Sequence, residues 1–175
     1  MPDLLDPPAH EGTTVLRRPR LSDSIRMQQI AKDSRVLDVN SAYAYLLWCR
    51  DFPNTSAVAE IDGRVAGYVT GYVRPESPDT LFIWQVAVDE AARGRGVGVA
   101  MLDRILDWTR GFGVRFLETT ITADNPSSIA MFTALARRRD TGIYARPLFA
   151  ADHFPEGHAA EDLYTIGPIH GGGRR

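Results

Sequence analysis

The chain has 175 residues, 44% hydrophobic and 24% charged, with a formal net charge of −2 and the single cysteine Cys49. A chain of this size buries roughly 70% of its unfolded surface, so a full core forms without disulfides or zinc. The near-neutral charge argues against a general nucleic-acid binder, no apolar run nears the ~18 residues of a membrane span, and the segment Met1–Pro8 carries no secretory signature, so a cytoplasmic location is expected.

Residues 1–12, with three prolines and no periodicity, and the tail 170–175 are expected to be unstructured, leaving one domain over 13–169. Thr13–Arg18 reads as a first strand ended by Pro19. Ser22 or Asp23 then caps a helix with Ile25, Met27, Ile30 and Ala31 on one side, and Ser41 caps a second through Leu46, Leu47 and Trp48. Ser56–Ile61 and Arg64–Tyr72 flank Asp62-Gly63, the pair that supplies the positive φ angles of a two-residue hairpin turn. Thr80–Val88 is nearly all apolar and is expected to be covered on both faces.

A helix over Val99–Trp108 follows, stopped by Gly111 and Gly113, then a strand over Phe116–Ile121. Asp124-Asn125-Pro126 opens a helix to about Arg138, and two weaker strands lie near Ile143-Tyr144 and Asp162–Ile166. The order β-α-α-β-β-β-α-β-α-β-β predicts an α/β (α+β) fold, a mixed central sheet flanked by helices.

Arg93-Gly94-Arg95-Gly96-Val97-Gly98 stands between a strand and a helix. Glycines allow close approach of a phosphate, and the amides of a first helical turn point at it. The segment lacks the Gly-Lys-Ser/Thr of a P-loop, and neither glycine frame gives G-x-G-x-x-G/A. A plain βα turn is the other reading. The frame that fits is R-x-x-G-x-G, and with the strand Trp84–Val88 before it and the element order around it, the chain resembles the Gcn5-related N-acetyltransferase superfamily.

That resemblance implies acetyl-CoA as co-substrate, its pyrophosphate at Arg93, Gly94, Arg95, Gly96, Val97 and Gly98. It implies a splayed strand at Val86 and Val88 whose backbone meets the pantetheine and the thioester carbonyl. Asn125 and Ser128 match a stretch that approaches the cofactor arm, although Asn125 reads equally well as a helix cap. Where many members carry a tyrosine that protonates the leaving thiolate, this chain has Phe132.

Two further clusters lie outside that turn. Asp38-Val39-Asn40-Ser41-Ala42-Tyr43 links the first two helices, with short polar residues before a helix N-terminus that attracts a carboxylate, while Asp38 suits an ammonium. Ordinary capping by Asp38, Asn40 and Ser41 accounts for the same residues. The second cluster, Phe154–Tyr164, holds His158 and Glu161; its spacing fits no zinc motif, so no metal is expected.

Asp38–Leu47 is similar to a D-x-N-S-x-Y-x-Y-L-L string of the diaminobutyrate acetyltransferases of ectoine biosynthesis, and Phe82–Val88 and Glu156–Tyr164 resemble further segments of that family. The resemblance implies acetylation of the 4-amino group of L-2,4-diaminobutyrate, in a pathway serving osmotic stress. It places Asp38, Asn40, Ser41, Tyr43, Trp84, His158 and Glu161 around this substrate. Glu161 or His158 would take the amine proton, and the Val86 amide would serve the oxyanion. A homodimer is expected from the superfamily. The alternatives are an acetyltransferase of another small amine and a non-catalytic acyl-CoA sensor.

Overall fold

The computed structural model describes residues 12–170, so the expectations for the two ends fall outside the described residues, apart from Gly12 and His170, which lie in no helix or strand. Strand β1 (Thr14–Arg17) leads through a 3-10 turn into helix α1 (Ser24–Ser34) and helix α2 (Ala42–Asp51). Strands β2 (Ala57–Ile61), β3 (Arg64–Arg74) and β4 (Ser77–Val88) follow, then helix α3 (Val97–Thr109), strand β5 (Phe116–Thr122), helix α4 (Pro126–Arg138), and strands β6 (Ile143–Phe149) and β7 (Glu161–Ile166). The kinds and order of elements are those read from the sequence.

The seven strands form one sheet in the order β1-β2-β3-β4-β5-β7-β6. Its pairs are antiparallel except β4 with β5. Asp62 and Gly63 take φ values of 51° and 78°, the two positive angles the β2–β3 turn requires. One core packs α3 and α4 on the sheet through Met101, Leu102, Ile105, Phe132 and Leu135 with Leu81, Ile83 and Leu117. The other packs Met27, Ile30, Tyr45 and Cys49 of α1 and α2 against Val58, Tyr68 and Ala87.

Three local expectations are corrected. Ile25 is 80% exposed: Met27, Ile30 and Ala31 share the inner face at i, i+3 and i+4, whereas a residue two positions before Met27 points roughly to the other side. Neither Ser22 nor Asp23 caps α1 through its side chain. The Asp23 carboxylate instead accepts from the Arg20 amide and from Arg17. Finally, β4 is not covered on both faces throughout, because Trp84 is 40% exposed. Thr70 of β3 pairs with Gln85 while Gly71 pairs with Ile83, which makes Trp84 the extra residue of a bulge. The bulge exchanges the faces of β4: Leu81 and Ile83 join the α3–α4 core before it, and Gln85 and Ala87 turn toward α1 and α2 after it.

Candidate active site

Parallel pairing of β4 with β5 covers only Thr80–Ile83 against Phe116–Thr119. Beyond Ile83 the strands part. Residues 85–88 remain paired to β3 on one side, so their peptide groups on the other side have no strand partner. An open cleft of about 720 Å³ lies at this parting. It is lined by Val86, Ala87 and Val88 of β4, by Ser34, Val36 and Leu37 at the end of α1, by Asp124 to Ser128 at the start of α4, and by Gly157, His158 and Ala159. Arg93, Thr122 and Met131 complete its walls.

The glycine-rich turn stands between β4 and α3. Gly94 and Gly96 both have φ of 72°, and Gly96 is the residue from which α3 starts. A Cβ at either would meet no atom within 4 Å, so both backbones are open to an approaching group. Arg93 lines the cleft and donates from Nε to the Val88 carbonyl at 3.1 Å, tying the turn to the end of β4. Arg95 is exposed. Val97 is buried in the α3–α4 core, and a Cβ on Gly98 would come within 2.6 Å of Met131 Sδ. Gly98 therefore serves the close approach of α3 to α4, while the opening toward solvent belongs to Gly94 and Gly96.

Asn125 caps α4: its side-chain oxygen accepts from the Ser128 amide at 3.1 Å, and both residues border the cleft. The cap and the cleft wall are thus one arrangement. Phe132, by contrast, is 3% exposed and sits in the core beside Leu135 rather than on the cleft.

His158 is held from two directions. Its ring stacks on Phe154 with centroids 3.9 Å apart, and its Nδ1 lies 2.6 Å from the Ala159 carbonyl. A carbonyl only accepts, so Nδ1 carries the hydrogen and the neutral ring presents its lone pair at Nε2. That Nε2 is 3.8 Å from Glu161 Oε1, too far for a direct hydrogen bond and close enough to share a cation or a water. Among the described residues no three His, Cys, Asp or Glu side chains converge on a cation site.

The segment between α1 and α2 behaves differently. Asp38, Ser41 and Tyr43 are exposed, and none of them, nor the half-buried Asn40, lines the cleft itself. The Ser41 hydroxyl accepts from the Ala44 amide and so caps α2. The Asp38 carbonyl receives Gln85 Nε2 at 3.0 Å and Asn40 Nδ2 at 3.3 Å. Trp84 stacks on Trp48 of α2 with centroids 5.0 Å apart, so the bulge residue reaches the acceptor-side helix. Cys49, whose thiol burial pushes up to about 11, is not poised for chemistry.

Residue-type reasoning missed Ser34, Leu37, Thr122 and Met131 as cleft walls, since ordinary core and cap residues carry no chemical signature. It also passed over Gln85, the single polar residue in the run Leu81–Val88. A polar group in an otherwise apolar central strand was the available signal.

A sheet parted at its one parallel seam, with a glycine turn feeding a helix N-terminus beside the parting, is the arrangement that the resemblance to the N-acetyltransferases implies for acetyl-CoA. Residues 25–136 match the family model described as the Acetyltransferase (GNAT) family. The chain is 61% identical over 158 residues to the L-2,4-diaminobutyric acid acetyltransferase of Nocardia farcinica, a match covering 90% of this chain and 82% of that one. It is 50% identical over 168 residues to the enzyme of that name from Streptomyces coelicolor, covering 94% and 99%. Among solved structures, diaminobutyrate acetyltransferase EctA from Paenibacillus lautus, in complex with its substrate L-2,4-diaminobutyric acid and coenzyme A, superposes with a TM-score of 0.86 at 34% identity, covering 92% of this chain and 98% of that one. The chain belongs to the GNAT family and, within it, to the L-2,4-diaminobutyric acid acetyltransferases.

Proposed function

We propose that the protein transfers the acetyl group of acetyl-CoA to the 4-amino group of L-2,4-diaminobutyrate, giving N4-acetyl-L-2,4-diaminobutyrate. The observation that carries this reading is the likeness to the diaminobutyrate acetyltransferases over nearly the whole chain. The site's chemistry accounts for each step.

Acetyl-CoA enters the parting of β4 and β5. Its pyrophosphate meets the open backbone at Gly94 and Gly96 and the amides of the first turn of α3, where the helix dipole favours an anion. The pantetheine arm runs along the unpaired edge of β4 at Val86 and Val88, with Asn125 and Ser128 opposite. Diaminobutyrate carries two ammoniums and a carboxylate. Asp38 and Glu161 provide the anions, Asn40, Ser41 and Tyr43 the donors near the α2 N-terminus, and Trp84 a wall for the aliphatic spacer.

The reacting amine must first lose a proton. An alkylammonium has a pKa of about 10.4, so at neutral pH it is almost wholly protonated. Desolvation lowers that value, and the Nε2 lone pair of His158 accepts the proton, directly or through a water, while Glu161 faces the imidazolium that results. The free amine attacks the thioester carbonyl, and a backbone amide near Val86 stabilises the oxyanion. When the intermediate collapses, the C–S bond breaks to release a thiolate of pKa about 8.5. Such a group leaves without a strong acid, consistent with a phenylalanine at position 132.

We place the protein in the cytoplasm as a homodimer, in the formation of a compatible solute under osmotic stress. A steady-state assay with acetyl-CoA and a panel of amines tests the activity, with the acetylated nitrogen identified by NMR. Diaminobutyrate is expected to have the highest kcat/KM and to be acetylated at N4. A higher kcat/KM for another diamine, or no turnover of any amine by a protein that binds acetyl-CoA, overturns the proposal. Sedimentation velocity tests the dimer, and a single monomeric species would refute it.

A further inference from the structure

Gln85 lies on β4 between the bulge residue Trp84 and the cleft residue Val86, and it is 6% exposed. Its Oε1 accepts from the Tyr68 hydroxyl at 2.9 Å and from the Tyr45 hydroxyl at 3.4 Å, and both tyrosines are fully buried. Its Nε2 donates to the Asp38 carbonyl at 3.0 Å. The orientation of the amide follows from the partners: a carbonyl offers no hydrogen, so the nitrogen must face Asp38.

Two glutamines hold the α1–α2 connection: Gln28 of α1 donates from Nε2 to the Asn40 carbonyl at 3.0 Å, and Gln85 ties the Asp38 carbonyl to the sheet. Val36, at the open rim of the cleft, and Val39 are 83% and 47% exposed, and Leu37 is the hydrophobic residue of the segment that packs on the second core. Gln85 thus spans two halves of the reaction. Its backbone belongs to the stretch of β4 beside which the acyl group sits, and its side chain ends on the residue whose carboxylate we assign to the acceptor. The bulge makes this reach possible: were Trp84 paired like its neighbours, Gln85 would keep the face of Ile83 and point into the α3–α4 core.

We infer that Gln85 is a positioning residue for the acceptor amine, setting the distance from Asp38 to the acyl-bearing edge of β4. The inference rests on the acetyl transfer to diaminobutyrate proposed above. A carboxylate moved away from its ammonium loses a charge-assisted hydrogen bond, so one hydrogen bond with this placement governs acceptor binding without touching substrate.

The test compares Gln85→Met, which keeps length and removes both hydrogen-bonding ends, with Gln85→Asn, which keeps a polar amide and shortens its reach by one methylene. Both are expected to lower kcat/KM for diaminobutyrate at least tenfold, mainly through KM, with acetyl-CoA affinity by calorimetry within twofold of the parent. Tyr68→Phe, which removes one partner of Oε1 and leaves the Asp38 bond, is expected to lower Tm and leave KM for diaminobutyrate within twofold. Amide exchange over residues 36–41 is expected to quicken in the Gln85 variants and not in Tyr68→Phe. A folded Gln85 variant with parental KM, or an equal rise of KM in Tyr68→Phe, overturns the inference. If the parent protein fails to acetylate diaminobutyrate, the functional reading falls, and exchange at 36–41 still decides whether Gln85 holds the segment: unchanged exchange refutes it.

Discussion

His158 is oriented before any substrate arrives. A ring clamped by Phe154 and by the Ala159 carbonyl has one tautomer and one direction for its lone pair, and Glu161 stands beyond it. Glu161→Gln keeps the shape and removes the charge. If the carboxylate stabilises the imidazolium or takes the proton, the variant loses turnover, and part of the loss returns at higher pH as more amine arrives deprotonated. Asp38→Asn is expected to act on the acceptor alone: a lost charge-assisted hydrogen bond of about 1.5–3 kcal/mol lowers kcat/KM for diaminobutyrate roughly 10- to 150-fold. Calorimetry with acetyl-CoA should show little change in either variant, and a parental kcat/KM in both would return them to a loop residue and a strand end. Phe132→Tyr tests the leaving group. Position 132 is in the core, so a hydroxyl there meets apolar neighbours before it meets a thiolate. The expected rate change is under tenfold, and a gain above that, about 1.4 kcal/mol of barrier, would show that thiolate protonation limits the reaction.

Among the elements, the turn before α3 is the most exposed to a single change. At Gly96 a φ of 72° strains any side chain, and a β-branched one most. Gly96→Val is expected to weaken acetyl-CoA binding at least tenfold. Gly96→Ala, with less backbone strain and less bulk, is expected to fall between the parent and Gly96→Val, and unchanged affinity in a folded Gly96→Val would count against the turn as the pyrophosphate site. This turn was legible in the sequence because glycines between a strand and a helix constrain the backbone locally. So were the β2–β3 hairpin, announced by Asp62-Gly63, and the caps at Ser41 and Asn125. What could not be read is set by pairing between distant segments. The bulge at Trp84 exists only in the register of β4 against β3, and the exchange of faces that follows from it was invisible to alternation. The short reading of β6 near Ile143-Tyr144 has a similar cause. Its extension to Phe149 lies on an edge strand that is mostly exposed and carries Arg146 and Pro147, so no apolar pattern marks it. His158 and Glu161 were marked through the family resemblance, whereas the bond from Gln85 to Asp38, across 47 positions of chain, left no trace in either string.

At the scale of the whole molecule, one ionic knot joins the first strand to the rest. The Arg17 guanidinium grips the Asp23 carboxylate at 2.8 and 3.0 Å and reaches Glu60 of β2 at 2.9 Å. Burial pushes the Asp23 carboxyl up, but the Arg17 fork and the Arg20 amide more than offset this, and its pKa falls below the usual carboxylate value. A depressed folded-state pKa means that the stabilisation is complete above the unfolded value and is lost as pH drops through the folded one. Asp23→Asn is therefore expected to cost about 2 kcal/mol at neutral pH, a Tm loss of roughly 4–8 °C, and the gap to the parent should close below about pH 4. A gap that persists at pH 2 would assign the effect to packing. The parting of β4 from β5 acts at the same scale, on cooperativity. Four paired positions and the core under α3 and α4 join a leaf of β1 to β4 to a second leaf of β5, β7 and β6, on which α4 packs. The second leaf is expected to open as a sub-global unit, with amide exchange faster than in β3 and β4. A ligand seated in the gap touches both leaves and favours the closed form by mass action, about 2.7 kcal/mol at one hundred times its Kd. Saturating acetyl-CoA is then expected to slow exchange most in β5 and β7, so the molecule unfolds as one unit when loaded and as two when empty.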